Sequence, residues 1–338
     1  MRTSRIKAES VGFYHTISRI VDRTFRFTAA EKHIFVKMMY KIVEFSGVEL
    51  VSFCVMCNHF HLLIRVDPDQ EVDDIELERR LRCLYQDMEV DAIISRWEEW
   101  RKLDMEYLVE EDQAKYLRRM GDLSEFMKTL KQRYSISYNS RHDRRGTLWE
   151  ERFKSILIEP SEKALSVIAA YIDLNPVRAK VVTDPKDYQW SGYGEATRGL
   201  KRARQGLSII YQQGDEGDAS ELSWDSVAER YRTWLYLPYE QSDGKDGTYE
   251  LQADFSREDA ERIIAEGGVL TLAQVLLCRV TYFSRGLALG SAEYIECIYQ
   301  KQRDKFSSKR RSGARPMRHA KWEGLCTLRA SRGETVTV

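Results

Sequence analysis

The stretch VSFCVMCNHFHLLIRV, residues 51–66, contains two cysteines and two histidines within an apolar run. Alternate side chains of a strand point to the same face, so HFHLLIRV as a strand would present His59 and His61 together, with Phe60 on the opposite face. The β-branched run VELVSFCVM predicts the preceding strand, with Cys57 and Asn58 at the turn. The sequence therefore predicts a hairpin that carries two imidazoles on one face.

Three interpretations fit the histidine pair. The imidazoles could satisfy hydrogen bonds on a half-buried sheet, complete a zinc site with Cys54 and Cys57, or form part of a different metal site. The zinc interpretation has a geometric difficulty, because residues three apart on a strand place their sulfurs on opposite faces. The third interpretation needs a further ligand from elsewhere in the chain.

The same patterns predict the other helices and strands of the domain that contains the hairpin. Residues 14–21 and 153–159 alternate like strands, and a helix begins after Thr28 and ends at Gly47. A later helix begins after Ser161 and should end near Asn175, because Pro176 disfavours a helical residue before it. The order β-α-β-β-(insertion, α)-β-α indicates an α+β fold, a ferredoxin-like antiparallel sheet with helices on one face.

The charge of the chain is unevenly distributed, although its 338 residues carry no net formal charge. Residues 71–112 contain 15 Asp or Glu and 6 Lys or Arg on an amphipathic pattern, which predicts an acidic helical insertion. Residues 301–321 contain nine Lys or Arg and one Asp and are predicted to be a basic arm. We expect a first domain over 1–200 and a mainly helical region over 201–338, with a helix-turn-helix in 270–302.

The helix after Ser161 carries a second polar pair. In AAYIDLNPVRA, Tyr171 and Asn175 are four residues apart, so both lie on one flank of the helix and can reach the same point. Taken alone, the pair is better explained as a tyrosine at the edge of the core and a C-capping asparagine.

Three motifs in this order, NHFHLLI, GTLWEERFKS and YIDLNPVRA, resemble the HUH single-tyrosine transposases of the IS200-like type. The resemblance is strongest to the branch associated with repetitive extragenic palindromes (REP), and it covers about residues 10–195. It implies an HUH endonuclease-like domain, a catalytic Tyr171, and a Mg²⁺ or Mn²⁺ cofactor bound by His59, His61 and Asn175. The implied activity is cleavage and transfer of single-stranded DNA through a 5′-phosphotyrosine intermediate at hairpin or palindromic repeat DNA.

Basic residues around the second motif are expected to form the DNA track. The residues predicted to contact DNA are Lys131, Arg133, Arg141, Arg144, Arg145, Trp149, Arg152, Lys154 and Arg178. The partner expected is single-stranded or hairpin DNA, and the protein is expected to be a monomer or homodimer. Without an apolar run long enough for a membrane span, the expected location is the cytoplasm, as a bacterial nucleoid-associated protein. The alternatives are a non-catalytic DNA-binding regulator and a zinc-stabilised interaction protein.

Overall fold

The described residues form a seven-stranded mixed sheet with strand order β2-β3-β1-β4-β8-β10-β9. The computed structural model describes residues 5–213, 222–237, 239–241, 249–251, 257–266, 269–329 and 336–337. Its strands are β1 Gly12–Arg19, β2 Glu49–Val55, β3 His59–Val66, β4 Lys154–Ile158, β5 Tyr239–Gln241, β6 Tyr249–Leu251, β7 Arg279–Val280, β8 Ala288–Gly290, β9 Arg315–Pro316, β10 Cys326–Leu328 and β11 Val336–Thr337.

The helices lie between these strands. They are α1 Ala29–Ser46, α2 Asp74–Leu84, α3 Asp87–Lys102, α4 Glu106–Leu117, α5 Leu123–Arg141, α6 Glu162–Asp173, α7 Asn175–Arg178, α8 Gly192–Thr197, α9 Lys201–Ser208, α10 Trp224–Leu235, α11 Arg257–Ala265, α12 Leu272–Leu276, α13 Tyr282–Arg285 and α14 Ala292–Lys301. No helix of the described residues is long and apolar enough to cross a membrane.

The first four strands confirm the ferredoxin-like α+β class. Strand β1 pairs antiparallel with β3 and β4, and β2 pairs antiparallel with β3. Helix α1 begins and ends where its capping residues predict: the Thr28 side chain accepts a hydrogen bond from the Glu31 backbone N–H, and Gly47 adopts φ 65°. Glycine is favoured there because other residues rarely adopt the left-handed conformation.

Helices cover both faces of the sheet, which differs from the expectation of one face. Residues of α1 and α5 pack against Phe60 and Leu62 of β3. Residues of α6 pack against Leu63 of β3 and Phe13 of β1, on the opposite side. The reason is that both faces of β1 and β3 are rich in apolar residues, so each face needs a cover.

The acidic insertion forms three helices, α2 to α4, with a small core of its own. Trp97 is 1% exposed in this core, and its indole Nε1 donates to Asp112 Oδ2 at 2.9 Å. Phe45 of α1 belongs to the same core, which attaches the insertion to the main fold. The segment predicted as an acidic helical insertion is helical, and its helices continue to the end of α4 at Leu117.

The C-terminal region adds strands to the sheet as well as helices. Strand β8 pairs parallel with β4, and β10 and β9 extend the sheet beyond it. The segment predicted as a helix-turn-helix instead contains the short helices α12 and α13, with β8 before α14. The domain boundary near residue 200 stays a prediction, although strands from both sides of it share one sheet.

The segment predicted as a basic arm is packed against the fold. The Arg303 guanidinium donates to the Phe306 and Ser307 carbonyls at 3.1 Å, and Arg310 donates to the Gly313 carbonyl at 2.9 Å. Arg315 belongs to β9. Arg303 and Arg310 stabilise this turn-rich segment, because they donate hydrogen bonds to backbone carbonyls that have no partner in a sheet.

Candidate active site

Strand β3 places His59 and His61 on the face that α6 covers. In the sheet register, His61 lies opposite Ile17 of β1 and His59 lies opposite Arg19. Ile17 in turn lies opposite Lys154 of β4, so Lys154 shares the histidine face. The paired imidazoles predicted from the sequence are therefore present. Arg19 lies next to His59 on the neighbouring strand, and Lys154 lies two strands from His61.

A third histidine, His15 of β1, extends this pair. His15 Nε2 and His61 Nδ1 are 2.9 Å apart, and the two rings stack with centroids 5.1 Å apart. Both side chains are buried, and burial lowers the pKa of His15 to about 3 and the pKa of His61 well below its usual value. Both imidazoles are therefore neutral near neutral pH, the form that ligates metal.

Sequence reasoning missed His15. The alternation of GFYHTISR places His15 on the same face as Ile17, but only the register shows that this face belongs to His61. A histidine among apolar residues of a predicted central strand was the available signal.

His59 lies at the start of β3, where the strand leaves the turn. Its Nδ1 is 2.7 Å from Oδ1 of Asn58, and its ring centroid is 5.1 Å from that of His61. In both His59 and His61, Nδ1 takes part in the hydrogen bond, so Nε2 is the nitrogen suited to ligate a cation.

Helix α6 brings Tyr171 to the histidines. Ser161 caps the helix as predicted, by accepting from the Ala164 backbone N–H. The Tyr171 ring centroid is 6.3 Å from that of His61 and 6.4 Å from that of His15, both in edge-on geometry. Tyr171 is only 4% exposed, and Phe283 of α13 contacts its ring with centroids 4.9 Å apart.

Asn175 lies one turn beyond Tyr171, at the start of α7. Its Nδ2 donates to the Ile172 carbonyl at 3.0 Å and to the Tyr171 carbonyl at 3.3 Å. The amide is thereby folded back along the helix, and Oδ1 is its atom suited to a cation. The helix breaks at Leu174 rather than at Asn175, and Pro176 is accommodated at the first turn of α7.

Arg178 fixes the tyrosine helix, whereas the sequence predicted a DNA contact. Its guanidinium lies 4.0 Å from the Tyr171 ring centroid and donates to the Tyr171 carbonyl at 2.7 Å. A second hydrogen bond of 2.8 Å reaches the Leu276 carbonyl of α12. Arg178 therefore joins the C-terminal region to the helix that carries the tyrosine.

Asp173 attaches α6 to the rest of the fold from within the core. Its carboxylate accepts hydrogen bonds from Ser52 Oγ at 2.9 Å and from the Tyr231 hydroxyl at 2.6 Å, and also from the Tyr193 backbone N–H. Burial raises the pKa of this carboxyl to about 6. Asp173 thus joins α6 to β2, α8 and α10.

The residues present suit the expected divalent cation. Two neutral imidazoles and an amide oxygen are ligands that Mn²⁺ accepts, and Mg²⁺ binds such a site when water and phosphate complete its octahedron. His59, His61 and Asn175 all lie on or beside the face that α6 covers, and the hydrogen bonds at Nδ1 orient both imidazoles.

The zinc arrangement is not formed. Cys54 is fully buried, and burial raises the pKa of its thiol well above the usual value. The Cys57 sulfur lies 3.6 Å from Lys32 Nζ. Across the described ranges, no group of three or more His, Cys, Asp or Glu side chains is arranged to hold a metal ion.

Trp149 belongs to the core, although the sequence predicted that it contacts DNA. It is 8% exposed, its ring contacts Phe60, and its Nε1 donates to the Lys131 carbonyl at 3.0 Å. The motif GTLWEERFKS therefore contributes a packing residue at this position. Its loop still lies beside the site, because the Glu150 backbone N–H donates to the Arg19 carbonyl.

The basic residues predicted to form the DNA track fall into two groups. The first group is bound by other residues of the protein. The Glu151 carbonyl binds Lys131, the Leu84 carbonyl binds Arg133, the Glu31 carboxylate binds Arg141, and the Thr147 carbonyl binds Arg144. Arg145, Arg152 and Lys154 are exposed. Lys154 lies on the histidine face, and contact with DNA stays a prediction for all of these residues.

The segment that contains the hairpin is similar to a known protein family. Residues 10–76 match the family described as "Transposase IS200 like". Residues 10–76 are therefore similar to this family, and the match covers less than half of the 338-residue chain. The matched segment contains β1, α1, β2 and β3, and hence His15, His59 and His61, whereas Tyr171 lies outside the matched residues.

One solved structure, of a REP-associated tyrosine transposase bound to a REP hairpin, aligns at 15% sequence identity with a TM-score of 0.39. The alignment covers 65% of this chain and 96% of that chain. No match was found among the curated proteins.

Proposed function

We propose that this protein is a metal-dependent, site-specific endonuclease and strand transferase that acts on single-stranded DNA at hairpins or palindromic repeats. The observation that carries the proposal is the approach of Tyr171 to His61. These side chains come from a helix and a strand more than a hundred residues apart in sequence, and their ring centroids are 6.3 Å apart. A nucleophile beside two neutral imidazoles suits transfer to phosphorus.

In the proposed reaction, the phenol oxygen of Tyr171 attacks the scissile phosphorus. The new bond joins this oxygen to the 5′-phosphate, the bond from phosphorus to the 3′ oxygen breaks, and the 3′ oxygen leaves as a hydroxyl after taking up a proton. The phenol proton leaves during attack. Since a phosphodiester is exchanged for a phosphotyrosine ester, the step is reversible and requires no ATP.

His59, His61 and Asn175 would hold the divalent cation. When bound, Mg²⁺ or Mn²⁺ would supply Lewis-acid polarisation of the scissile phosphate and help to position it. We infer that His15 is a positioning residue, because its Nε2 can accept the proton on His61 Nδ1 and so keep His61 Nε2 as the ligating nitrogen.

Arg178 has a second role in this proposal. Its guanidinium lies over the Tyr171 ring, where positive charge stabilises the negative charge that develops on the phenol during attack. The backbone hydrogen bonds of Arg178 fix that position. Because Tyr171 is 4% exposed beneath Phe283 and Arg178, entry of DNA requires movement of this cover.

The test uses a labelled single-stranded DNA hairpin with Mn²⁺ or Mg²⁺ and detects a covalent protein–DNA adduct on a denaturing gel. We expect an adduct with the wild type and none with Tyr171→Phe. The matched control is Tyr107→Phe, which removes a hydroxyl from a tyrosine that is 64% exposed on the insertion. An adduct of equal yield in Tyr171→Phe would exclude Tyr171 as the nucleophile.

The burial of Tyr171 favours a second candidate, a non-catalytic DNA-binding regulator with a transposase fold. The same experiment separates the two functions. Hairpin binding without an adduct in wild type, with either cation, would establish the regulator, whereas an adduct that depends on Tyr171 would establish the enzyme.

A further inference from the structure

A groove lies between the acidic insertion and the main fold, on the side of the sheet that α1 and α5 cover. Its volume is about 840 Å³, and its lining residues come from α1, α5 and the junction of α2 with α3. Tyr171 and the histidine face lie on the other side of the sheet, under α6. The groove is therefore separate from the candidate active site, and it exists because of the insertion.

The charge of the groove is opposite to that of the insertion. Its ionised lining residues are all basic: Lys37, Lys41, Arg82, Arg119 and Arg133. Lys37 and Lys41 are one helical turn apart on α1, both are exposed, and neither pairs with an acidic side chain among the described residues. Two adjacent ammonium groups without a carboxylate partner provide a site for an anion.

Another part of the lining, which we call the wall, contains the Tyr85 ring and two guanidinium groups that contact it. The Arg119 guanidinium donates to the Tyr85 hydroxyl, and Arg133 lies 5.5 Å from the Tyr85 ring centroid while it donates to the Leu84 carbonyl at 3.1 Å. Ile136, which is 63% exposed, adds apolar surface to the same wall. Gln132 supplies an amide at its edge.

We propose that this groove binds an unpaired nucleotide. Its phosphate would contact Lys37 and Lys41, and its base would lie against the wall that Tyr85, Ile136 and Arg133 form. This combination of adjacent cations with an aromatic and guanidinium surface is what binds single strands without regard to sequence. An acidic peptide would use the cations but leave the aromatic wall without a partner. The proposal does not depend on cleavage by Tyr171.

The test compares two double variants of the full chain that have the same change in net charge. Lys37→Glu with Lys41→Glu alters the groove, and Lys102→Glu with Lys201→Glu alters two exposed lysines outside it. The probe is oligothymidylate of about 12 nucleotides, within the range one protein module covers, with 4-thiothymidine for photo-cross-linking. Thymidine 5′-monophosphate is the free-nucleotide competitor.

We expect the groove variant to bind the probe about tenfold more weakly than the control variant, and the slope of log K against log salt to fall by about 1.4 for two lost phosphate contacts. Cross-links in the wild type should map to 82–86 or 34–41. Thymidine monophosphate that competes at this site would identify a free nucleotide as the ligand, and failure to compete would identify a strand.

Three outcomes would overturn the proposal. These are equal affinities of the two variants, cross-links only outside the groove, and an abasic strand that binds as tightly as the thymidylate. Displacement of the probe by oligoglutamate at equal concentration would assign the groove to an acidic peptide instead. Because the readout is binding, a negative adduct test at Tyr171 leaves this result unaffected.

Discussion

The two faces of β3 carry side chains of different kinds. On one face, Phe60 packs against Phe35 of α1 with ring centroids 4.7 Å apart, within a core of aliphatic and aromatic side chains. On the other face, one residue away, His61 bonds to His15 and approaches Tyr171. The alternation of a single strand therefore separates residues that stabilise the fold from residues available for chemistry.

The histidine face is also buried, and this burial has an electrostatic cost. His15 and His61 are shielded from water, which removes their ability to ionise near neutral pH. The aromatic side chains of the other face have no such cost, because they carry no charge. We therefore expect substitutions on the two faces to affect different properties.

The largest expected contrast is between Phe60→Ala and His61→Ala. Phe60 is fully buried, so its truncation should lower the free energy of unfolding by about 4 kcal/mol, through lost burial and a new cavity. His61→Ala should abolish adduct formation and cost less than half as much stability, because the imidazole it removes is a desolvated polar group. Urea unfolding measures the first effect and the adduct assay the second.

The adduct assay on Phe60→Ala is the control, performed at a temperature where the variant is folded. Retained adduct in Phe60→Ala beside loss in His61→Ala would support the division between the faces. Loss of adduct in folded Phe60→Ala would show that the two faces do not act separately.

His15 sharpens the comparison on the histidine face. His15→Leu removes the acceptor for His61 Nδ1 and should weaken Mn²⁺ binding about 10- to 100-fold, the usual effect of losing a hydrogen bond behind a metal ligand. His15→Gln keeps a carbonyl acceptor and should restore part of the affinity. Mn²⁺ titration followed by electron paramagnetic resonance measures both, without DNA or turnover.

Equal Mn²⁺ affinity in wild type and His15→Leu would show that His15 packs in the core without any effect on metal binding. If His15→Leu lowers the free energy of unfolding as much as Phe60→Ala does, the main role of His15 is to stabilise the fold.

Much of the fold was predictable from local patterns. The bounds of β3, the caps of α1 and the start of α6 agree with the sequence, because alternation and capping act within a few residues. The order of elements then gave the ferredoxin-like class. The coverage of both faces was not predicted, because which helix packs on which face is decided by contacts distant in sequence.

The candidate site was predictable where two of its residues lie close in sequence. His59 and His61 share a strand, and Tyr171 and Asn175 are four residues apart, but the link between the two pairs came from family resemblance. His15 was missed because strand register is not visible in one sequence. Arg178 and Trp149 were predicted to contact DNA, but tertiary contacts bury the tryptophan and bind the arginine to backbone carbonyls.

A smaller effect is expected on the structural face, at Glu31 of α1. This buried carboxylate accepts hydrogen bonds from Arg141 at 2.6 Å, His142 at 2.8 Å and Tyr134 at 2.7 Å. Burial alone would raise its pKa, but these hydrogen bonds together hold the pKa below its usual value. The native interactions therefore stabilise the ionised carboxylate. Their contribution to the free energy of unfolding is fully present above the usual carboxyl pKa, and it is lost as the pH falls through the lower pKa of the folded protein.

Glu31→Gln should therefore lower the free energy of unfolding by about 1.5 kcal/mol at neutral pH, less than for a fully buried pair because Arg141 is partly exposed. The difference from wild type should shrink as the pH falls below about 4. Urea unfolding across this pH range measures it. A difference that does not change with pH would show that the carboxylate charge contributes nothing.

The smallest effect is expected at Lys154, which shares the histidine face but is exposed. Its ammonium pairs with Glu151 at 3.0 Å, three residues earlier, so removal should leave stability unchanged. If Lys154 contacts a phosphate of the bound strand, Lys154→Ala should weaken binding about threefold and lower the salt slope by about 0.7. Fluorescence anisotropy over a salt series measures both.

The matched control for Lys154 is Lys128→Ala on α5. Lys128 pairs with Glu125 at 3.1 Å in the same three-residue spacing, and its side chain is exposed, but it lies on the helix that covers the other face. The two variants lose the same charge, so net charge cannot separate them. A lower slope in Lys154→Ala alone would show that DNA runs along the histidine face, whereas equal slopes would mean that phosphate binding does not distinguish the two faces of the sheet.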